Sequence, residues 1–86
     1  MSKYRVIFNP SAEKEFARLE KQDQSRILKA TAKLEDNPRP AGCKKLKGSP
    51  NWRIRAVDFR VIYEIIEETV GINIVKFGHR STVYDR

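Results

Sequence analysis

Cysteine and histidine are almost absent from this sequence, which contains Cys43 and His79 and no other residue of either type. One cysteine cannot form a disulfide within the chain, and the two residues together cannot supply the four ligands of a structural zinc site. No long apolar run is present, so the sequence predicts neither a membrane span nor a signal peptide, and hence a cytoplasmic location. It also lacks a glycine-rich phosphate loop, a nucleophile motif, and a cluster of Asp, Glu and His with metal-binding spacing, so we expect no cofactor and no metal.

Positive charge is concentrated in the middle of the chain. The 86 residues, 40% of them hydrophobic, are enough for one domain spanning 1–86. The net charge is +7, of which residues 38–63 contribute +6, from seven basic residues and Asp58. The basic residues of this block are Arg39, Lys44, Lys45, Lys47, Arg53, Arg55 and Arg60. Such a block is typical of proteins that bind a polyanion such as nucleic acid, although a solvated basic face has the same composition.

The first half of the chain predicts a strand followed by two helices. Tyr4 to Phe8 is rich in β-branched and aromatic residues, and Asn9-Pro10 then suits the start of a helix running to about Glu20. Its apolar stripe is Ala12, Phe16 and Leu19. A second helix is expected from Asp23 or Ser25 to Asp36, with Ile27, Leu28, Ala32 and Leu34 facing inward and Lys29 and Lys33 facing water.

The second half predicts a loop and three strands. Residues 38–51 have loop composition, and Trp52 opens a run of period two in which Arg53 and Arg55 share one face. After a turn at Val57-Asp58, the segment 59–66 is apolar on both faces, as expected for a central strand. A turn at 67–71 precedes a last strand at 72–77, and Gly78 leads into a tail.

These elements predict an α+β domain with an N-terminal strand, a two-helix hairpin and a three-strand antiparallel meander. The helices should pack on one face of a small sheet and leave the other face open. Arg53 and Arg55 would lie on that open face, with Arg60 brought close by the hairpin. Glu64, Glu67 and Glu68 are interpreted as charges at a sheet edge or turn.

Once phosphate-loop, nucleophile and two-metal chemistry are set aside, metal-free cleavage of RNA remains for the open face. In that reaction the ribose 2′-OH attacks its own phosphate, and arginines neutralise the charge that develops on it. The tail adds His79, Arg80 and Tyr84, which are a titratable imidazole, a guanidinium and a phenol that can stack on a base. Each also has a structural interpretation, as a surface residue, an ion-pair partner or a cap of the core.

The sequence resembles the RelE/ParE toxin superfamily, and within it the RelE branch. The resemblance covers nearly the whole chain. It depends on the order and spacing of Asn-Pro after the first strand, Asn37-Pro38-Arg39-Pro40, Lys44-Lys45-Leu46-Lys47-Gly48, Trp52-Arg53-Ile54-Arg55, Asp58-Phe59-Arg60-Val61-Ile62-Tyr63-Glu64-Ile65, and Gly78-His79-Arg80 followed by Val83-Tyr84.

The resemblance implies a ribonuclease toxin that enters the ribosomal A site and cuts mRNA there. It assigns catalytic positions to Arg53, Arg55, Arg60, Arg80 and Tyr84. Because arginine rarely loses its proton, we add the hypothesis that His79 shares the acid–base work. The RNA- or ribosome-binding residues would be Arg39, Lys44, Lys45 and Lys47.

The implied partners are a RelB-like antitoxin, the ribosome and mRNA, with operator DNA bound only by the toxin–antitoxin complex and no membrane. Two other functions are compatible with the sequence. One is inhibition of DNA gyrase, as in the ParE branch, since the same scaffold serves both activities. The other is an inert protein that binds RNA or docks an antitoxin.

Overall fold

A mixed five-stranded sheet carries the fold in the computed structural model, which describes residues 4–56 and 59–79, apart from the side chain of His79. Its strands are β1 (Arg5–Phe8), β2 (Lys44–Lys45), β3 (Asn51–Ala56), β4 (Phe59–Ile66) and β5 (Gly71–His79). The order across the sheet is β1-β5-β4-β3-β2. β1 runs parallel to β5, and the other neighbours are antiparallel. The predicted α+β class, the meander and the central place of β4 are confirmed.

Two α-helices in the described residues, α1 (Pro10–Ala17) and α2 (Lys21–Asp36), follow β1. Asn9 caps α1, because its side-chain oxygen accepts a hydrogen bond from the backbone nitrogen of Ser11 at 3.0 Å. α1 ends before the predicted Glu20, and α2 begins earlier than expected. Backbone bonds from Arg18 to Glu15 and from Leu19 to Phe16 close the last turn of α1 tightly.

The buried face of α2 differs from the prediction. Leu28 is 49% exposed and Ala32 is exposed, whereas Ile27, Thr31 and Leu34 are buried. The buried residues follow the i, i+4, i+7 spacing of a single stripe along the helix. The prediction was wrong because it chose inward residues by apolar character alone. Thr31 fits this stripe because its hydroxyl donates to the backbone oxygen of Leu28 at 3.1 Å.

The core lies between the helices and one face of the sheet. Its fully buried large side chains are Tyr63, Ile27, Leu34, Ile72, Ile74 and Val61. Phe8, Phe16 and Phe77 extend it as a cluster of rings whose centroids are 5.3 to 6.0 Å apart. Neither helix of the described chain has both the length and the apolar character needed to cross a membrane.

Two strand predictions need correction. The segment 38–51 was expected to be a loop, but Lys44 and Lys45 pair with Arg53 and Trp52 to form β2. β5 continues through Gly78 to His79, beyond the predicted end at Phe77, because β4 offers backbone partners as far as Phe59. The predicted turn at Val57-Asp58 lies outside the described residues.

A β-bulge in β5 determines which side chains reach each face of the sheet. Ile62 pairs with Lys76 and Tyr63 pairs with Ile74, so Val75 is the extra residue. Ile72 and Ile74 are buried before the bulge, and Phe77 is buried after it. An extra residue therefore exchanges the inward and outward positions of the strand.

Candidate functional site

Five basic residues of β2 to β5 lie on the face of the sheet opposite the core, and we call them the basic patch. One row across the sheet pairs Lys44 with Arg53, Arg53 with Ile62 and Ile62 with Lys76. The next row pairs Arg55 with Arg60 and Arg60 with Gly78. The basic patch consists of Lys44, Arg53, Arg55, Arg60 and Lys76. The prediction that the hairpin brings Arg60 beside the arginines of β3 is confirmed.

Arg55 and Arg60 form the closest kind of cross-strand pair. The backbone oxygen of Asn51 accepts from the nitrogen of Leu46 at 2.9 Å, so the polar backbone groups of Asn51 face β2. Along a strand, the N–H and C=O groups of successive residues point to alternate sides. The polar backbone groups of Arg53 and Arg55, two and four residues after Asn51, therefore also face β2. Arg55 and Arg60 are therefore a non-hydrogen-bonded pair, the type in which side chains approach most closely. Two guanidinium groups at such a position are suited to bind one anion together.

The open face is less exposed than the sequence indicates. Arg53 is 9% exposed and Ile62 is 5% exposed, although both lie on this face. Ile62 does not belong to the core cluster under the helices. By register it lies between Arg53 and Lys76, whose long side chains can cover it. A buried Arg53 has little side-chain freedom left to lose when it binds a ligand.

Lys76 belongs to the basic patch but was missed in the sequence. Counting by twos from Ile72 and Ile74 places it on the core face, whereas the bulge moves it to the patch. Its exposure is consistent with that position. No signal in the sequence marks the bulge.

Glu64 also lies on the open face, so its interpretation as a sheet-edge or turn charge is wrong. β4 is the middle strand of the sheet, and Glu64 pairs with Asn51 and Asn73 in the row next to Arg53. The residue is partly buried. Arg53 is a diagonal neighbour of Glu64 on the same face, a spacing that a long side chain can span.

The three candidate residues of the C-terminal segment fall at or beyond the end of the described chain. The backbone of His79 ends β5, with its Cα paired to that of Phe59, while its side chain is not described. Arg80 and Tyr84 lie outside the described residues. Their catalytic roles stay predictions.

Arg39 and Lys45 lie apart from the basic patch. The guanidinium of Arg39 is 5.2 Å from the centroid of the Trp52 ring, and its Nη2 atom is 3.5 Å from the carboxylate of Glu67. Glu67 also accepts a hydrogen bond of 2.7 Å from the phenol of Tyr4. Arg39 thus joins the segment after α2 to the sheet.

Lys45 pairs with Trp52, which packs against the core, so it lies on the helix side of the sheet edge. Lys47 is exposed in the turn between β2 and β3. Of the four predicted RNA- or ribosome-binding residues, the structure brings only Lys44 beside the arginine rows, through its pairing with Arg53.

Comparison with known proteins identifies this architecture. The archaeal RelE in a RelE–RelB complex from Pyrococcus horikoshii OT3 superposes with a TM-score of 0.80, at 30% identity over 94% of this chain and 99% of that one. RelE of the intact Escherichia coli RelBE toxin–antitoxin complex gives 0.77, at 26% identity over 88% and 95%. The fold is therefore that of RelE toxins.

Sequence comparison leads to the family. The sequence model of the family described as ParE toxin of the type II toxin–antitoxin system parDE matches residues 6–84. An Escherichia coli protein described as a RelE-like toxin is 34% identical over 96% of this chain and 92% of its own length. The chain belongs to the RelE/ParE family and is a toxin of a type II toxin–antitoxin system.

Proposed function

We propose that this toxin is a ribosome-dependent endoribonuclease that cuts mRNA in the A site, and that it acts in the cytoplasm. The observation that carries the proposal is the direct opposition of Arg55 and Arg60, with Arg53 in the next row of the same face. Three guanidinium groups on adjacent strands fit a phosphate that gains negative charge during the reaction.

The chemistry needs no metal or cofactor. The 2′-oxygen of the ribose attacks the adjacent phosphorus, and the bond from phosphorus to the 5′-oxygen of the next nucleotide breaks. The products are a 2′,3′-cyclic phosphate and a 5′-hydroxyl, with one proton removed from the 2′-oxygen and one delivered to the leaving oxygen. Arg53, Arg55 and Arg60 hold the phosphate and stabilise its charge, and Arg80 adds a fourth guanidinium.

Proton transfer requires groups other than these arginines, which stay protonated at any relevant pH. We propose that His79 shares this work and that Tyr84 stacks on a base of the mRNA. A site formed by one open sheet face has few surfaces with which to orient RNA. The ribosome would supply that orientation, which is worth several kcal/mol of the barrier by effective-molarity arguments, roughly 7–11 kcal/mol at best.

The partner is expected to be a RelB-like antitoxin that covers the basic patch. RelE is found in complex with RelB in the related structures from Pyrococcus horikoshii and Escherichia coli. An acidic partner would complement a chain of net charge +7. We further propose that the toxin–antitoxin complex, rather than the toxin alone, binds operator DNA and represses its own genes.

The test is cleavage of a defined mRNA on programmed ribosomes. We expect a cut within the A-site codon that requires ribosomes and leaves a 2′,3′-cyclic phosphate. Replacing the attacking 2′-OH by hydrogen at that one nucleotide should abolish the cut, since DNA-like sugar lacks the nucleophile. Cleavage of the deoxy-substituted mRNA would contradict the proposed chemistry.

Inhibition of DNA gyrase is the second candidate, favoured by the match to the ParE family model. The two activities share a scaffold, so the fold does not separate them. A supercoiling assay with purified gyrase distinguishes them directly. Inhibition of supercoiling without any ribosome-dependent cut would assign the chain to the ParE type of function.

A further inference from the structure

A cleft that adjoins the basic patch adds one further cation, Lys33, to three residues of that patch. The cleft has a volume of about 440 Å³ and is bounded by α2, the turn at 40–42 and the edge of β3. Its cations are Lys33, Lys44, Arg53 and Arg55. None of its lining residues in the described part of the chain is acidic. Lys33 comes from α2 and lies outside the basic block at 38–63.

The backbone N–H of Arg55, in β3, contributes a hydrogen-bond donor to this cleft. β2 pairs only with Trp52 and Arg53, and the next residues of β3 have no neighbouring strand on that side within 4–56 and 59–79. The polar backbone groups of Arg55 face that side, as the bond from Leu46 to Asn51 requires. Gly42, with φ of 91°, turns the chain away where the next pair would form.

The cleft continues the basic patch, because Lys44, Arg53 and Arg55 belong to both. An RNA strand whose scissile phosphate lies at Arg55 and Arg60 can therefore pass its neighbouring phosphate over the edge of β3. The small residues along that path, Ala30, Ala41 and Gly42, leave room for a sugar–phosphate backbone. Clustered cations with an exposed amide are typical of phosphate binding.

We infer that the cleft is a second phosphate subsite and that Lys33 binds the phosphodiester next to the one that is cleaved. The inference rests on the proposed ribonuclease function and extends it to a residue on α2. Lys33 is exposed, so its ammonium group can reach a strand in the cleft. It contributes charge without base contacts, so its effect should be the same for every RNA sequence.

Binding of a single-stranded oligonucleotide at a series of salt concentrations tests this inference without requiring cleavage. The probe is fluorescent and carries 2′-deoxy sugars at every position, so that it stays intact. We expect Lys33→Ala to weaken binding several-fold and to reduce the slope of log K against log salt by about 0.7, the value for one fewer phosphate neutralised on a single strand. Lys33→Arg should restore the slope.

Lys29→Ala is the matched control. Lys29 is exposed on the same helix and does not line the cleft. It should change the slope less than Lys33→Ala, although both variants lose one positive charge. Circular dichroism of both variants checks that α2 is intact, since Lys33 is also the basic residue in its last turn.

Equal slopes for Lys33→Ala and Lys29→Ala would overturn the inference, as would absence of oligonucleotide binding by the unaltered protein. If Lys33→Ala instead weakened binding of an acidic peptide and left oligonucleotide binding unchanged, the cleft would be assigned to a protein partner. Failure of ribosome-dependent cleavage with a retained salt effect would contradict the proposed function and leave the subsite standing. The two failures are therefore distinguishable.

Discussion

Arg55 and Arg60 lie directly opposite each other on the antiparallel strands β3 and β4. Like charges at such positions destabilise a sheet, by roughly 0.2–1 kcal/mol per pair. The Arg55–Arg60 pair, with Arg53 in the next row, therefore contributes little to the stability of the folded state. An anion bound between the two guanidinium groups would reduce the repulsion, as expected if the pair binds phosphate as proposed.

Replacing Arg55 by glutamine should separate function from stability. The variant Arg55→Gln loses one guanidinium from the phosphate site, and we expect cleavage on ribosomes to fall by about 10²-fold or more. Its free energy of unfolding, measured with urea, should stay unchanged or rise by up to about 1 kcal/mol, because the like-charge pair is gone. Strong destabilisation would show that Arg55 is structural.

The source of the general base can be found by comparing two variants. His79→Gln removes the imidazole at the end of β5, and Glu64→Gln removes the carboxylate from the row next to Arg53. We expect His79→Gln to reduce the single-turnover cleavage rate by about 10²–10⁴-fold and to alter its pH profile near neutral pH. Full activity of His79→Gln would eliminate that role. Loss in Glu64→Gln alone would transfer it to the carboxylate.

Val70 adopts a left-handed conformation, with φ of 52° and ψ of 49°, at the end of the short 3₁₀ turn Glu67–Thr69. For a β-branched residue that conformation costs about 1–2 kcal/mol, and Val70 is 43% exposed, so its partial burial offsets only part of that cost. Val70→Gly should therefore raise the free energy of unfolding by up to about 1 kcal/mol, as measured by urea titration, because the backbone entropy that glycine loses on folding offsets part of the relieved strain. A decrease would mean that packing of the Val70 side chain outweighs the strain.

The raised pKa of Tyr63 should appear in the pH dependence of the free energy of unfolding. Burial raises the pKa of its phenol above the ordinary value of 10, and the hydroxyl donates to the backbone oxygen of Pro38 at 2.7 Å. Above pH 10 the unfolded chain loses this proton and the folded protein keeps it, so stability falls as pH rises, by up to about 1.4 kcal/mol per pH unit.

Tyr63→Phe tests that linkage. At pH 8 it should cost about 1–3 kcal/mol, because the buried oxygen of Pro38 loses its donor. Between pH 10 and 11 the free energy of unfolding of the variant should decline less steeply than that of the unaltered protein. Parallel declines would show that Tyr63 titrates normally in the folded state.

The elements with strong periodicity could be predicted from the sequence. Alternation in 52–56 places Arg53 and Arg55 on one face, and a short hairpin then fixes Arg60 beside them. The apolar character of β4 on both faces indicates its central position, which the structure confirms.

Features that depend on tertiary context could not be predicted. Gly71 signals the turn before β5, yet the left-handed residue is Val70, while a Cβ at Gly71 would be 3.1 Å from the hydroxyl of Thr69, a tight contact. The bulge at Val75 leaves no mark in the sequence, so Lys76 was missed. β2 has only Lys44 and Lys45, which pair because β3 presents a free edge.

The central claim is that the basic patch cuts mRNA on the ribosome, and primer extension on a defined mRNA in a purified translation system tests it most directly. The unaltered toxin, Arg55→Gln and an Arg80→Ala, Tyr84→Ala double variant would be compared with and without ribosomes. We predict cuts that need ribosomes and disappear in both variants. Growth arrest in cells without any such cut would contradict the claim and favour gyrase as the target.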